Sequence, residues 1–437
     1  MYKVMKRLEV PKRLRNDMKY IIAEGIFAGT FITITGAMFG SVFLIAFARK
    51  IGMNSFHIAI LAASPQLANM AQFVASFIIE NYIPRKKFFI YTALIARILW
   101  IIAVFIPTII GKNLPGLTIW SFIFTIAIAN LFAYFAGTAW LSWMKDIIPN
   151  KYRGKFFSRR NLYTNTITMI LPYIVGRVFD KYNTILSYAN VFTLATIIGI
   201  IGVFIISKVK DKMEPVEEKI KFAEILKLPF RNKNFIYFLL FSIFFTLGTV
   251  GMLPFLQIYL LEDLNFPKAT IGFFLLVSGT LNVVSNIFWG EFSAKYGHRN
   301  TLVLAGCGAS LFPFLWVVTN KSNGFVLSIF IHFLGGIAWA GMILAHLNLL
   351  FTISPKKRNS AYMASFSFVN GATGVIAPLL GVFIIKMFEN ITFPAVKILF
   401  IVSGIFRIIA VMYLIKVKEI KAVPLRLREF FKPRYYS

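Results

Sequence analysis

One cysteine, four histidines and seventeen acidic residues are all that this 437-residue chain offers to the commonest site chemistries. Cys307 alone rules out an intrachain disulfide or a thiolate cluster. His57, His298, His332 and His346 show no close metal-ligand spacing. No histidine is followed by a correctly placed acid, and neither a nucleophile motif nor a phosphate-cradling glycine loop with lysine occurs. A polytopic membrane enzyme is therefore the weakest reading, and no cofactor or metal is expected. Charge is also scarce, at 15% of residues against about 25% in soluble domains.

What the chain has instead is hydrocarbon. It is 58% hydrophobic with a mean hydropathy of +0.73. Apolar stretches of about 20 residues recur throughout, long enough to cross a core of roughly 30 Å at 1.5 Å per residue. Twelve spans are predicted near residues 20–48, 54–79, 88–109, 117–145, 159–179, 187–207, 234–261, 268–289, 300–319, 325–350, 359–386 and 394–416. Ala46-Phe47-Ala48 mimics a signal-peptidase site, but the apolar run before it is too long for a signal peptide. The first span reads as an uncleaved anchor.

The net charge of +30 and pI near 10.2 raise the question of nucleic acid, and the distribution of the charge answers it. Thirty-six of the 47 Lys and Arg residues fall in the tails and the loops on one side, and eight fall on the other. That bias is the positive-inside pattern, with both termini in the cytoplasm of a cell (plasma or inner) membrane. Apolar residues between the charges, such as Ile220, Phe222, Ile225 and Leu226, suit amphipathic segments lying on anionic lipids. No nucleic-acid partner is expected.

A polar stretch divides the spans six and six. It sets expected boundaries at 1–19 (basic tail), 20–207 (first bundle), 208–233 (linker), 234–416 (second bundle) and 417–437 (basic tail). The halves are similar in sequence. Pro149-x3-Arg153-x3-Phe157-x7-Asn165 corresponds to Pro355-x2-Arg358-x3-Tyr362-x7-Asn370, and Pro172 and Gly176 echo Pro378 and Gly381. Tyr82-Ile83-Pro84-Arg85 lies opposite Tyr296-Gly297-His298-Arg299, each just after the second span of its half. Parallel repeats of this kind are a transporter architecture.

The segment Gly290-Glu-Phe-Ser-Ala-Lys-Tyr-Gly297-His-Arg299 between spans 8 and 9 resembles the signature loop of the major facilitator superfamily. The segment from Ala139 to Asn161 resembles a poorly characterised prokaryotic branch of it. The family's usual Asp is Ala294 here, and the first-half copy, Glu80 to Lys87, lacks the glycines, so a charge lock at this loop is weakened. The antiporter signature around Pro172 is not present. The resemblance implies an all-α membrane protein with twelve transmembrane helices in two pseudo-symmetric six-helix bundles. It also implies a transporter with no enzymatic activity.

An ionisable residue inside a span costs at least about 2.5 kcal/mol at mid-membrane, so each one is a candidate by default. Glu24 is the only carboxylate within a predicted span, in a helix that lines the central cavity in the proteins this one resembles. It is placed either to bind a proton or cation or to pair with Lys19 or an inner-loop arginine. Arg97 and Arg407 fall near mid-depth in spans 3 and 12, as site cations for an anionic substrate or as braces between helices. Asn130, Asn165, Gln257, His346 and Asn370, with Gln66, Asn69, Asn282 and Asn286, stud other spans as ligand contacts or as interhelical bonds. Gly25, Gly29, Gly36 and Gly40 are spaced for close helix contact. Glu80, Arg85, Asp146, Arg153, Gly290, Gly297, Arg299 and Arg358 are the candidates for gating loops, with Arg159, Arg160, Lys356 and Lys357 beside them.

The first expectation is a secondary active transporter of a small solute, with protons or another ion as the coupling partner and Glu24 as the coupling residue. The alternative is a non-transporting sensor or assembly factor on the same scaffold.

Overall fold

The computed structural model describes residues 11–37, 41–111, 113–209, 229–355 and 359–419. Lipid supplies no hydrogen-bond partners, so an apolar run buried in it satisfies its own backbone as helix. Prolines mark many starts, because a missing N–H costs nothing ahead of the first turn. Pro84, Pro149, Pro267 and Pro394 each stand just before a helix, and Pro115 is the first residue of another.

In chain order the first half contains α1 (Lys12–Thr35), α2 (Val42–Lys50), α3 (Ser55–Met70), α4 (Gln72–Asn81), α5 (Arg85–Ile109), α6 (Pro115–Ile147), α7 (Asn150–Lys181) and α8 (Ile185–Ile206). The second half contains α9 (Lys233–Val250), α10 (Leu253–Ile258), α11 (Lys268–Tyr296), α12 (His298–Val317), α13 (Gly324–Ile353), α14 (Asn359–Met387) and α15 (Ala395–Ile415). Among the described residues, eleven helices are long and apolar enough to span a membrane. The 32-residue α7 is a twelfth by length, but its first turns carry Arg153, Arg159 and Arg160, and Asn161, Asn165 and several threonines follow.

Four elements differ from the sequence expectation, one of them span 7, which divides into α9 and α10. Span 1 is two helices, broken at Gly36, rather than one from 20 to 48. Span 2 is interrupted at Ala71. Span 5 starts at Asn150, nine residues early, so Arg153, Arg159 and Arg160 ride on the helix rather than in a loop. Most of the linker (210–228, with Ile220, Phe222, Ile225 and Leu226), residues 1–10, Gly40, Arg358 with Lys356 and Lys357, and 420–437 lie outside the described residues.

Within the first half α5 packs on α6 and α8, and α1 on α7 and α8; within the second, α11 packs on α13, and α9 and α12 on α15. Two large crossings join the halves, α3 with α14 and α7 with α11, and smaller contacts set α10 against α2 and α3 and α11 against α2. Large apolar side chains such as Ile109, Phe124, Ile287 and Val326 remain exposed on the outer faces, an aggregation-prone surface in water that acyl chains cover.

The buried core shows how the halves meet. One cluster runs through the second half and into the first at the end opposite the chain termini, joining Phe43, Phe47 and Phe179 to Phe255, Ile258 and Tyr259. A separate cluster, including Met18, Phe89, Trp143, Phe156 and Ile206, fills the termini-side end of the first half and contains no described residue of the second. The halves thus share a core at the far end and keep separate ones at the termini end.

At the α7–α11 crossing the backbones touch. A Cβ on Gly176 would fall on the backbone of Ala269, and one on Gly272 on the backbone of Pro172. Gly272→Val is expected to push the two helices apart and cost about 1–3 kcal/mol, as overpacking does elsewhere. Thermal unfolding in detergent measures it, and an unchanged melting temperature would contradict this packing.

Candidate functional site

Two helix breaks define the candidate site. In span 1, α1 ends at Thr35, and Gly36 at φ +77° turns the chain in the left-handed region that favours glycine, its N–H returning to the Ile32 carbonyl. The helix restarts after Ser41, whose Oγ accepts from Leu44 N at 3.1 Å. In span 7 the break is milder: α9 ends at Val250 and α10 begins at Leu253, with Pro254 in its first turn, while Gly251 and Met252 between them keep right-handed helical dihedrals. Gly36 and Gly251 are separated by nearly the same interval that relates the loops after spans 2 and 8, so the breaks are counterparts in the repeat. Paired interruptions of this kind point to a binding site between repeats.

A cavity of about 260 Å³ lies at the breaks. Gly36, Leu44 and Ile45 of span 1, Leu61, Ala62, Pro65 and Gln66 of span 2, and Ile126 and Asn130 of span 4 form one wall, and Val250, Leu253, Pro254 and Gln257 of span 7 form the other. Asn130 is buried and donates through Nδ2 to Ser64 Oγ at 3.0 Å. Gln257 Oε1 is buried without a hydrogen-bond partner. Of the residues singled out from the sequence, the fold brings Gln66, Asn130 and Gln257 together here.

Above the cavity, on the far side, polar ties cross between the halves. Arg49 at the end of α2 meets Glu262 in the turn closing span 7, with Nε to Oε1 at 2.7 Å and Nη2 to Oε2 at 2.9 Å. Asp180 at the end of α7 accepts from the backbone N–H groups of Lys268 (2.8 Å) and Ala269 (2.9 Å), with Lys268 Nζ at 3.7 Å. The residue ahead of α11 is Pro267, which gives it no side-chain cap. Asp180 caps that helix from the opposite half. A half-exposed ion pair is worth about 0–1 kcal/mol and a cap typically about 1 kcal/mol, so both ties are breakable.

On the termini side Glu24 is buried, and Arg160 of α7 donates to it at 3.3 Å through Nη2 and to Ile21 O at 3.4 Å through Nε. The guanidinium lies 4.4 Å from the Trp140 ring. Gly25 makes room for it, since a Cβ there would sit 2.7 Å from Arg160 Nε. Arg160, riding on α7 rather than in the inner loop, is thus the arginine that faces Glu24.

The gating candidates form local locks. Arg85 pairs with Asp146, tying the loop after span 2 to the end of α6. Arg153 donates to Lys145 O at 2.8 Å and to Ile148 O, closing the carbonyl end of α6. In the second half Gly297, at φ +88°, turns α11 into α12. His298 N (3.1 Å) and Arg299 N (2.7 Å) donate to the Glu419 carboxylate, and the Arg299 guanidinium donates to Ile415 O. Glu419 thus supplies an acid at the loop where the sequence has Ala294. Gly290 faces open space. Glu80 lies on α4, but its side chain and Arg358 lie outside the described residues.

The remaining candidates are elsewhere. Arg97 is buried, donates to Ala93 O at 2.9 Å and lies 5.2 Å from the Phe31 ring. Arg407 is buried, donates to Ala309 O at 2.9 Å and Gly248 O at 3.4 Å, and so bridges α12, α9 and α15. His346 is enclosed by Phe238, Phe241 and Phe366, with Ser242 Oγ at 3.4 Å. Asn370 accepts from the Thr246 hydroxyl at 2.7 Å, and Asn165 is exposed on α7. Among the described residues no three His, Cys, Asp or Glu side chains group as a metal site. Sequence reasoning missed Arg49, Asp180, Glu262 and Glu419. Their one signal was the scarcity of acids, which makes each acid near a helix end worth pairing.

The model of the Major Facilitator Superfamily matches residues 26–350 and 241–434. A mutant form of the nucleoside transporter NupG superposes with a TM-score of 0.71 at 13% identity, over 91% of this chain and 99% of that one. The inward open conformation of the xylose transporter XylE from E. coli gives 0.70 at 11%, over 93% and 97%. At these identities the likeness is one of fold. A Na(+), Li(+), K(+)/H(+) antiporter of Planococcus maritimus is 30% identical over 136 residues, which is 29% of this chain and 30% of that protein.

Removing either far-side tie should open the cavity from that side. In a Cys307→Ser background, Leu61→Cys places a single thiol on the cavity wall. Adding Asp180→Ala or Arg49→Ala is expected to speed labelling of that thiol several-fold by a membrane-impermeant maleimide supplied opposite the termini. Equal rates in all three proteins would contradict the role of these ties.

Proposed function

The chain belongs to the major facilitator superfamily of membrane transporters, and from that membership we propose that it is a secondary active transporter moving a small solute across the cell membrane by alternating access. The observation that carries the reading is the cavity at the paired helix breaks. Both halves line it, weak inter-half ties cover its far side, and the termini-side cores stay separate. The surplus of basic residues on the termini side supports a cytoplasmic location for both tails and an inward-facing state for this arrangement. Contacts of the basic tails and linker with anionic lipids fit the same orientation.

Glu24 is the proposed coupling group, with a proton as the coupling ion. The partial antiporter relative is named for Na(+), Li(+) and K(+) as well as H(+), and the proton is chosen here because a carboxylate bound to a single arginine takes a proton without needing further ligands. A proton on the carboxylate removes the charge that holds Arg160. Arg160 and Asp180 sit on one helix, about 30 Å apart at 1.5 Å per residue, so releasing α7 from α1 at one end bears on the cap it gives α11 at the other. Glu24 is about 18 Å along span 1 from Gly36 by the same measure, so coupling runs through helix contacts rather than through touching the solute.

In proteoliposomes, transport by the native protein should respond to an imposed pH difference. Glu24→Gln should abolish that response while leaving solute counterflow in place. Unchanged pH dependence in Glu24→Gln would remove Glu24 from coupling. Solute binding with no accumulation or counterflow in the native protein would favour the non-transporting reading.

A further inference from the structure

The cavity at the helix breaks is walled almost entirely by carbon, and the only side-chain polar groups among the described residues that line it are the carboxamides of Gln66, Asn130 and Gln257. None of those lining residues is ionisable. The nearest charges along spans 1 and 7, Arg49 and Glu262, are bound to each other in the far-side tie, and Glu24 is bound to Arg160. An ion entering this wall would give up its water for no countercharge. A polyol would bring more hydroxyls than three carboxamides can satisfy, and each unpaired one is penalised in an apolar enclosure. At about 260 Å³ the space lies just under the usual range of small-molecule pockets, so the ligand is compact.

One group is left waiting. Gln257 Oε1 is buried with no partner, whereas Asn130 Nδ2 is already committed to Ser64. A buried acceptor without a donor is rare in a native structure and calls for one. Resting on the transport reading of this site, we infer that the solute is an uncharged, mainly apolar molecule bearing an N–H or O–H donor, and that the Gln257 carboxamide turns its unpartnered Oε1 into the cavity to accept that donor.

The test is calorimetric titration of the full chain in lipid nanodiscs with five probes: p-cresol, its methyl ether 4-methylanisole, benzoate, benzyltrimethylammonium and xylose. The native protein should bind p-cresol at least tenfold more tightly than 4-methylanisole. Gln257→Leu should erase that preference. Ala62→Phe, which fills the cavity, should remove binding of both and so separates cavity binding from partition into lipid. The inference is overturned if p-cresol has no advantage, if Gln257→Leu keeps the advantage, or if an ion or xylose binds more tightly in a manner lost in Ala62→Phe. Far-side maleimide labelling of the Leu61→Cys protein distinguishes the two readings. Cresol binding that leaves the sidedness of labelling unmoved removes transport and keeps the ligand class. Xylose or ion binding that moves it does the reverse.

Discussion

A backbone N–H or a guanidinium without a protein partner costs several kcal/mol in hydrocarbon, and the arrangement of this chain follows from how it meets that demand. Arg97 and Arg407, deep in their spans, are held by carbonyls and aromatic rings within their own halves. Glu24 is held by Arg160, and the pair joins α1 to α7. Where spans 1 and 7 are interrupted, the carboxamides of Gln66, Asn130 and Gln257 line the cavity, with Asn130 bound to Ser64 and Gln257 Oε1 buried without a partner.

One chemistry, a carboxylate receiving the free N–H groups of a helix start, is used in two ways. Glu419 caps α12 from within the second half, and Asn234, whose amide bonds both ways with Lys418, fixes the same segment. Nothing in a movement of one half against the other disturbs that cap. Asp180 caps α11 from the first half, so the same movement breaks it. The bonds expected to persist through a transport cycle therefore lie inside the halves, and those expected to exchange lie between them.

Much of this was legible in the sequence, because hydropathy and proline placement report the solvent directly. The twelve spans, the internal repeat and the major facilitator resemblance all rest on such local signals. The break at Gly36 was not legible: its spacing with Gly25 and Gly29 read as helix contact, and those two glycines do meet Arg160 and Thr164, whereas Gly36 turns the chain. Span 5 was read as starting late because its first turns are basic, yet in the fold that polar end lies toward the chain termini and carries the partner of Glu24. Arg49 with Glu262, and Glu419 at the loop of Ala294, are pairings across long stretches of chain. No periodicity encodes them, and only the fold sets which acid meets which partner.

Rocking of the two halves about the cavity can be followed by pulsed electron–electron distance measurements on two doubly spin-labelled proteins in a Cys307→Ser background. One carries labels at Lys151 and Lys295 on the termini side, the other at Tyr182 and Lys321 on the far side. On adding a transported solute, or on replacing Glu24 with Gln, the two distances should shift in opposite directions, the first shortening as the second lengthens. Two distances that stay fixed, or that change in the same direction, would contradict rocking.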